Sequence, residues 1–137
     1  MPVFIHFVGD RVNYGIPALA DEGVKIARHH GGEFTTPDAI DRSLRPEDEA
    51  DVRAYIRRHI PVADGPLQSH AVCMYTNTPD DHFILDRHPR HENVIIAGGF
   101  SGHGFKLAPL VGAVVTDLLR DTSKQATELF SIHRFRA

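Results

Sequence analysis

Residues 93–112 read NVIIAGGFSGHGFKLAPLVG, and the fold turns on how this stretch is read. An apolar run at residues 93–97 has the character of a strand buried on both faces. The glycines at 98, 99, 102 and 104 form a turn, and Leu107, Leu110, Val111, Val114, Val115, Leu118 and Leu119 then recur at helical spacing. A strand, a glycine-rich turn and a helix N-terminus make a physical cofactor or anion site, because unpaired N–H groups and the positive dipole end converge there. The dinucleotide fingerprint G-x-G-x-x-G does not fit, since Gly99, Gly102 and Gly104 run in the reverse spacing. Gly99-Phe100-Ser101-Gly102-His103 nearly matches the nucleophile elbow G-x-S-x-G, with His103 in the place of the last glycine. A serine hydrolase of that type also needs a larger sheet than this chain can build. A tight structural turn is the plain alternative to both. Gly112, inside the helix, leaves room for a neighbouring element to approach.

Working upstream, residues 67–76 and 82–86 read as two antiparallel strands joined by a turn at Asn77-Thr78-Pro79-Asp80. A helix begins at Pro46. Glu47, Asp48 and Glu49 stand where its dipole favours anions, Arg57, Arg58 and His59 where it favours cations, and Pro61 ends it. Val52, Ile56 and Ile60 mark its packed side. Residues 3–8 and 12–16 read as a hairpin about Gly9-Asp10-Arg11, and residues 24–29 as a third strand. Strand side chains alternate, so Lys25 and His29 fall on one face, while neighbours such as His29 and His30 point to opposite faces. Downstream, residues 128–137 read as one more short strand. The expectation is an α+β fold with a mostly antiparallel sheet.

Composition bounds the function. At 137 residues the chain has the length of one ordinary domain, and with 42% hydrophobic and 24% charged residues it is of globular type. A formal charge of −3, with neither half enriched in one sign, gives no electrostatic footprint for nucleic acid or an anionic membrane. No apolar run approaches the ~18 residues of a membrane span, and no signal peptide is visible, so a cytoplasmic location is expected. The lone cysteine, Cys73, permits neither an internal disulfide nor a cysteine-based zinc site. A buried, inert thiol is its ordinary reading. Ten histidines include the pairs His29/His30 and His88/His91, but no carboxylate cluster joins either pair, so no metal is expected.

Two blocks alter the weighing: residues 71–89, AVCMYTNTPDDHFILDRHP, and the opening stretch. Together they resemble the C-terminal part of the monomeric sarcosine oxidase family, flavoprotein amine oxidases that include N-methyltryptophan oxidase. NYGIP at 13–17, GVKIARH at 23–29 and PEDE at 46–49 follow the same family's order. The resemblance implies covalent FAD attached through Cys73, two residues before Tyr75, with Gly102, His103, Gly104 and Phe105 facing the cofactor. It implies that Lys106 and Tyr75 bind substrate, that Tyr14 and His29 line the substrate cavity, and that Lys25 promotes the reaction with oxygen. A helix N-terminus suits the negative charge that develops near N1 and C2=O of a reduced flavin, and a cation beside it favours electron transfer to O2.

On that resemblance, residues 1–92 belong to a substrate domain and residues 93–137 return to a flavin-binding domain, so the strand-turn-helix is expected to stand apart. The family's dinucleotide-binding half and its other carboxylate partner, an arginine, have no counterpart in this sequence. Leu107 stands where an aromatic residue is common. The implied reaction is oxidation of the C–N bond of a secondary amine, an N-methyl amino acid such as sarcosine, with O2, giving imine or aldehyde and H2O2. The alternative is a truncated, non-catalytic homo-oligomer or interaction module without FAD.

Overall fold

Alternation of side chains through the first 29 residues produces a three-stranded antiparallel sheet in the order β1 (Phe4–Val8), β2 (Arg11–Ile16), β3 (Lys25–His29). The structure, a computed structural model, describes residues 1–122 and 128–135. Gly9, at φ +57°, supplies the left-handed backbone of the two-residue hairpin loop that sets Val8 opposite Arg11. The register places His6, Asn13 and Arg28 abreast on one face and Ile5, Tyr14 and Ala27 abreast on the other.

The first of these faces carries α1 (Pro46–His59). His6 Nδ1 lies 2.9 Å from Tyr55 Oη, and Asp51 accepts from Arg11 and lies 3.8 Å from Arg28. The buried residue of α1 is Tyr55, with Val52 and Ile56 half-buried beside it. Covering a ring of this size stabilises by about 2 kcal/mol, and burial pushes the phenol's pKa up. Beyond the helix, Pro61–Ala63 form a 3-10 turn. Asp64 there accepts from Arg57 and Arg53, which hold its carboxyl below the usual carboxylate range.

The second antiparallel sheet pairs β4 (Ile84–His88) with β5 (His91–Gly98), with a bulge at Arg87/His88. α2 (Ala108–Arg120) packs on both strands, and Phe83, Leu85 and Leu118 form the buried centre. Arg87 donates to the Leu118 carbonyl and to Asp121, which ends α2 in left-handed backbone at φ +54°. The chain clusters into two compact units, Met1–Met74 and Tyr75–Ala137, each a small sheet with its own helix. The architecture is α+β, as expected, and among the described residues no helix is long and apolar enough to cross a membrane.

Four local expectations are corrected. Residues 67–76 form no strand, because their backbone groups pair elsewhere: Arg42 Nη1 donates to the Val72 carbonyl at 2.6 Å, and the Thr76 carbonyl accepts from Ser101 N at 3.1 Å. β5 is exposed to half-exposed rather than buried on both faces, since it belongs to a two-stranded antiparallel sheet covered on one side by α2. The described part of the tail is a 3-10 turn, Ile132–Phe135, instead of a strand. Asp86 makes that turn by accepting from Ser131 Oγ and Ile132 N, while Arg136 and Ala137 lie outside the described residues. A side chain at Gly112 would meet nothing within 4 Å among the described residues, so no close approach occurs there.

Candidate functional site

On the face of the first sheet away from α1, the β2–β3 register brings together Tyr14 and His29, expected to line the substrate cavity, and Lys25, expected to promote the reaction with oxygen. Tyr14 stands opposite Ala27, midway between Lys25 and His29. Lys25 Nζ lies 5.4 Å from the Tyr14 ring centroid, a cation–π distance. The His29 ring meets Tyr14 edge-on at 6.2 Å and 90°. Ile5 and Phe7 continue this face and are 62% and 71% exposed. It is an open apolar surface carrying a cation, a phenol and an imidazole.

His30 does not point to the opposite face, as alternation requires. Its ring centroid is 3.9 Å from that of His29. His30 and Gly31 both adopt positive φ, 61° and 77°, so the strand has already ended and the chain reverses. The signal in the sequence was the Gly31-Gly32 pair immediately after the strand.

In the second unit the glycine turn is held from within. Gly99, Ser101 and Gly102 all take positive φ. Ser101 is fully buried, and its hydroxyl donates to the Gly99 carbonyl at 3.2 Å and accepts from Thr78 N at 3.4 Å. A buried hydroxyl so engaged is a turn-holder and not a nucleophile. A Cβ on Gly102 would fall 2.5–2.7 Å from the Tyr75 ring, so Tyr75 lies directly on this glycine. His103 is set against Phe83 at 5.1 Å, within a cluster that includes Phe100 and Phe130. Phe105 is almost fully exposed and Lys106 is exposed, both in the 3-10 turn Phe105–Leu107 that leads into α2. Among the described residues no side chain caps α2 at Leu107, and Pro109 occupies its first turn, where a missing N–H costs nothing.

The Cys73 thiol is free and exposed, contrary to the ordinary reading of a buried, inert one. It lies on the irregular segment that Arg42 secures at Val72, a contact no sequence pattern announced. Among the described residues no group of three or more His, Cys, Asp or Glu is arranged to hold a metal, and the His88 and His91 rings, 4.7 Å apart, stand as a pair at the β4–β5 turn.

The first unit thus presents an open sheet face with a lysine, a tyrosine and a histidine, and an exposed thiol, and the second unit, taken by itself, presents a glycine turn that leads into α2. The chain belongs to the DAO family of FAD dependent oxidoreductases, whose sequence pattern matches residues 1–118. It is 44% identical over 136 residues to monomeric sarcosine oxidase of Bacillus sp. (strain B-0618), covering 97% of this chain and 35% of that protein. Peroxisomal sarcosine oxidase of Homo sapiens is 40% identical over 126 residues, covering 89% and 32%. N-methyl-L-tryptophan oxidase of Salmonella enteritidis is 37% identical over 139 residues, covering 96% and 37%. Among solved structures, fructosamine oxidase from Aspergillus fumigatus (Amadoriase II) superposes with a TM-score of 0.68 at 25% identity, over 82% of this chain and 30% of that one. The chain thus spans about a third of the length of these relatives.

Proposed function

We propose that this chain supplies the catalytic portion of an FAD-dependent oxidase that converts the C–N bond of a secondary amine, an N-methyl amino acid such as sarcosine, to an imine. The observation that carries the reading is the grouping of Tyr14, Lys25 and His29 on one open sheet face. Bound FAD would accept two electrons from the amine and deliver them to O2, giving H2O2. The imine then hydrolyses to an aldehyde.

The residues present fit the ring end of FAD. Cys73 offers an exposed thiol for covalent attachment through the 8α-methyl group. Gly102, His103, Gly104 and Phe105 lead into an uncapped helix N-terminus suited to negative charge. In this reading Lys106, with Tyr75, binds the substrate carboxylate. Tyr14 and His29 line the cavity and exclude water, and Lys25 presents a fixed positive charge to oxygen as it is reduced. Residues 1–92 then serve the substrate domain and 93–137 the flavin-binding domain of a cytoplasmic enzyme whose partners are a small amine and O2, not nucleic acid or membrane. Names of relatives sharing 37–44% identity support the substrate class.

The test has three arms, run with the flavin-binding domain supplied. The protein should be yellow, with flavin precipitating in acid, and Cys73→Ser should release that flavin. Lys25→Met should slow the oxidative half-reaction far more than anaerobic reduction, by about 10²-fold. Lys106→Met should weaken substrate affinity and spare reoxidation. Equal effects of both lysine variants on both half-reactions would overturn the assignment. A colourless protein that self-associates through the Ile5 and Phe7 face favours the second reading, a non-catalytic oligomer or interaction module.

A further inference from the structure

We infer that Arg42 is a positioning residue for Cys73, latching the segment that carries the thiol so that its sulfur is presented in one place. The inference rests on the reading of Cys73 as the point of flavin attachment. Residues 64–78 form neither helix nor strand, so no backbone ladder holds the thiol where it stands. Arg42 ties the segment down twice. Its Nη1 donates to the Val72 carbonyl at 2.6 Å, and its own carbonyl accepts from His70 Nε2 at 3.4 Å. The first of these bonds has an ionised donor and so is of the stronger kind. It closes on the residue next to Cys73, whose thiol is exposed.

Arg42 can serve as an anchor because its own place is fixed. Asp41 Oδ1 accepts from Ser43 N at 2.8 Å and from Ser43 Oγ at 2.7 Å, which closes an Asx turn around Arg42. Two residues on, Arg45 precedes α1 and pairs with Asp48 and Glu33. The thiol segment thus hangs from the lead-in to a helix that Tyr55 and Asp51 fasten to the first sheet. Joining the Cys73 sulfur to the 8α carbon of FAD removes one hydrogen from each, and O2 takes both with their electrons as H2O2. Such a step gains from a sulfur held near its partner, whereas a small reagent arriving by diffusion gains nothing from where the sulfur is held. A charge that activated the thiolate would instead speed both reactions.

That difference is the basis of the test. In the 137-residue chain, Arg42→Met removes the donor and keeps a long side chain. Backbone nitrogen relaxation should show the order parameter of the Cys73 amide falling from about 0.85 to below about 0.6, with the α1 amide pattern unchanged. Alkylation of Cys73 by iodoacetamide should stay within about twofold of the parent rate, while acid-precipitable flavin, with the flavin-binding domain supplied, should form about tenfold more slowly. Arg42→Lys keeps a charged donor and should recover a large part of both the order and the rate of attachment. An unchanged order parameter in Arg42→Met overturns the inference, and so does a parental rate of attachment. Alkylation that slows together with attachment also overturns it, because Arg42 would then act as a charge on the thiolate. A disturbed α1 amide pattern in both variants makes Arg42 an ordinary structural residue. Failure of the functional reading looks different: Cys73→Ser that keeps acid-precipitable flavin removes Cys73 from attachment, while the Arg42 latch remains visible in the relaxation data of the parent.

Discussion

Ser101→Ala removes one oxygen, and the structure allows its cost to be worked out. That hydroxyl donates to the Gly99 carbonyl and accepts from Thr78 N, and the residue is fully buried, so water cannot replace either bond. Leaving buried polar partners unmet costs about 1–3 kcal/mol. For a unit of this size, each kcal/mol moves the melting midpoint by about 4–8 °C. Ser101 also sits at φ +48°, a conformation that alanine shares at the same penalty but glycine does not. Ser101→Gly therefore loses the same hydrogen bonds while recovering about 1–2 kcal/mol of backbone strain, less about 0.5–1 kcal/mol for added chain entropy. The expected order of stability is parent, then Ser101→Gly, then Ser101→Ala. Urea unfolding followed by hydrogen exchange resolves the two units, and only protection within Tyr75–Ala137 should fall. An alanine variant with parental protection at Thr78, or a glycine variant weaker than the alanine one, would refute the account of the turn.

Other expectations follow from single contacts. Gly102→Ala drives a methyl to within 2.5–2.7 Å of the Tyr75 ring at φ +78°, so it should destabilise the second unit by about 1–3 kcal/mol and shift Tyr75 fluorescence, measured by chemical denaturation and emission spectra. Leu85→Ala empties a site that is 2% exposed and should cost about 2–5 kcal/mol in the same assay. Burial raises the Tyr55 pKa above 10.0, so its contribution is fully present below pH 10 and lost as pH climbs beyond it. Tyr55→Phe should flatten that alkaline limb in unfolding curves. Asp64, depressed by Arg57 and Arg53, and Asp80, depressed by Arg134, contribute above pH 3.8 and lose that contribution as pH falls further. Asp64→Asn should remove part of the acid sensitivity of the first unit alone.

The sequence was most readable where local rules and tertiary contacts agree. The hairpin of β1 and β2, the third strand and α1 each rest on alternation, a glycine turn, or a proline start with graded charge, and all form where expected. The Lys25–His29 face was legible for the same reason. Residues 67–76 were not, because their β-prone side chains lie on a backbone tied down by Arg42 and Ser101, both distant in sequence. The apolar run of β5 suggested a strand buried on both faces, but among the described residues one partner strand and one helix face meet it. His30 escaped because alternation holds only while φ stays negative. Ser101 looked like a nucleophile by spacing, and only its burial and its two hydrogen bonds show what it does.

β1 has a consequence for the handling of this protein. It is an edge strand, and from Phe4 to Val8 it reads FIHFV, with no acidic or lysine side chain along its length. The opposite edge, β3, carries Lys25 and Arg28, which deter pairing with another chain. An uncharged, β-prone five-residue edge beside exposed Ile5 and Phe7 is a template for intermolecular strand addition while the chain is still collapsing. Refolding yield should therefore fall steeply with protein concentration, and a single Ile5→Lys substitution, on a side chain already 62% exposed, should restore it.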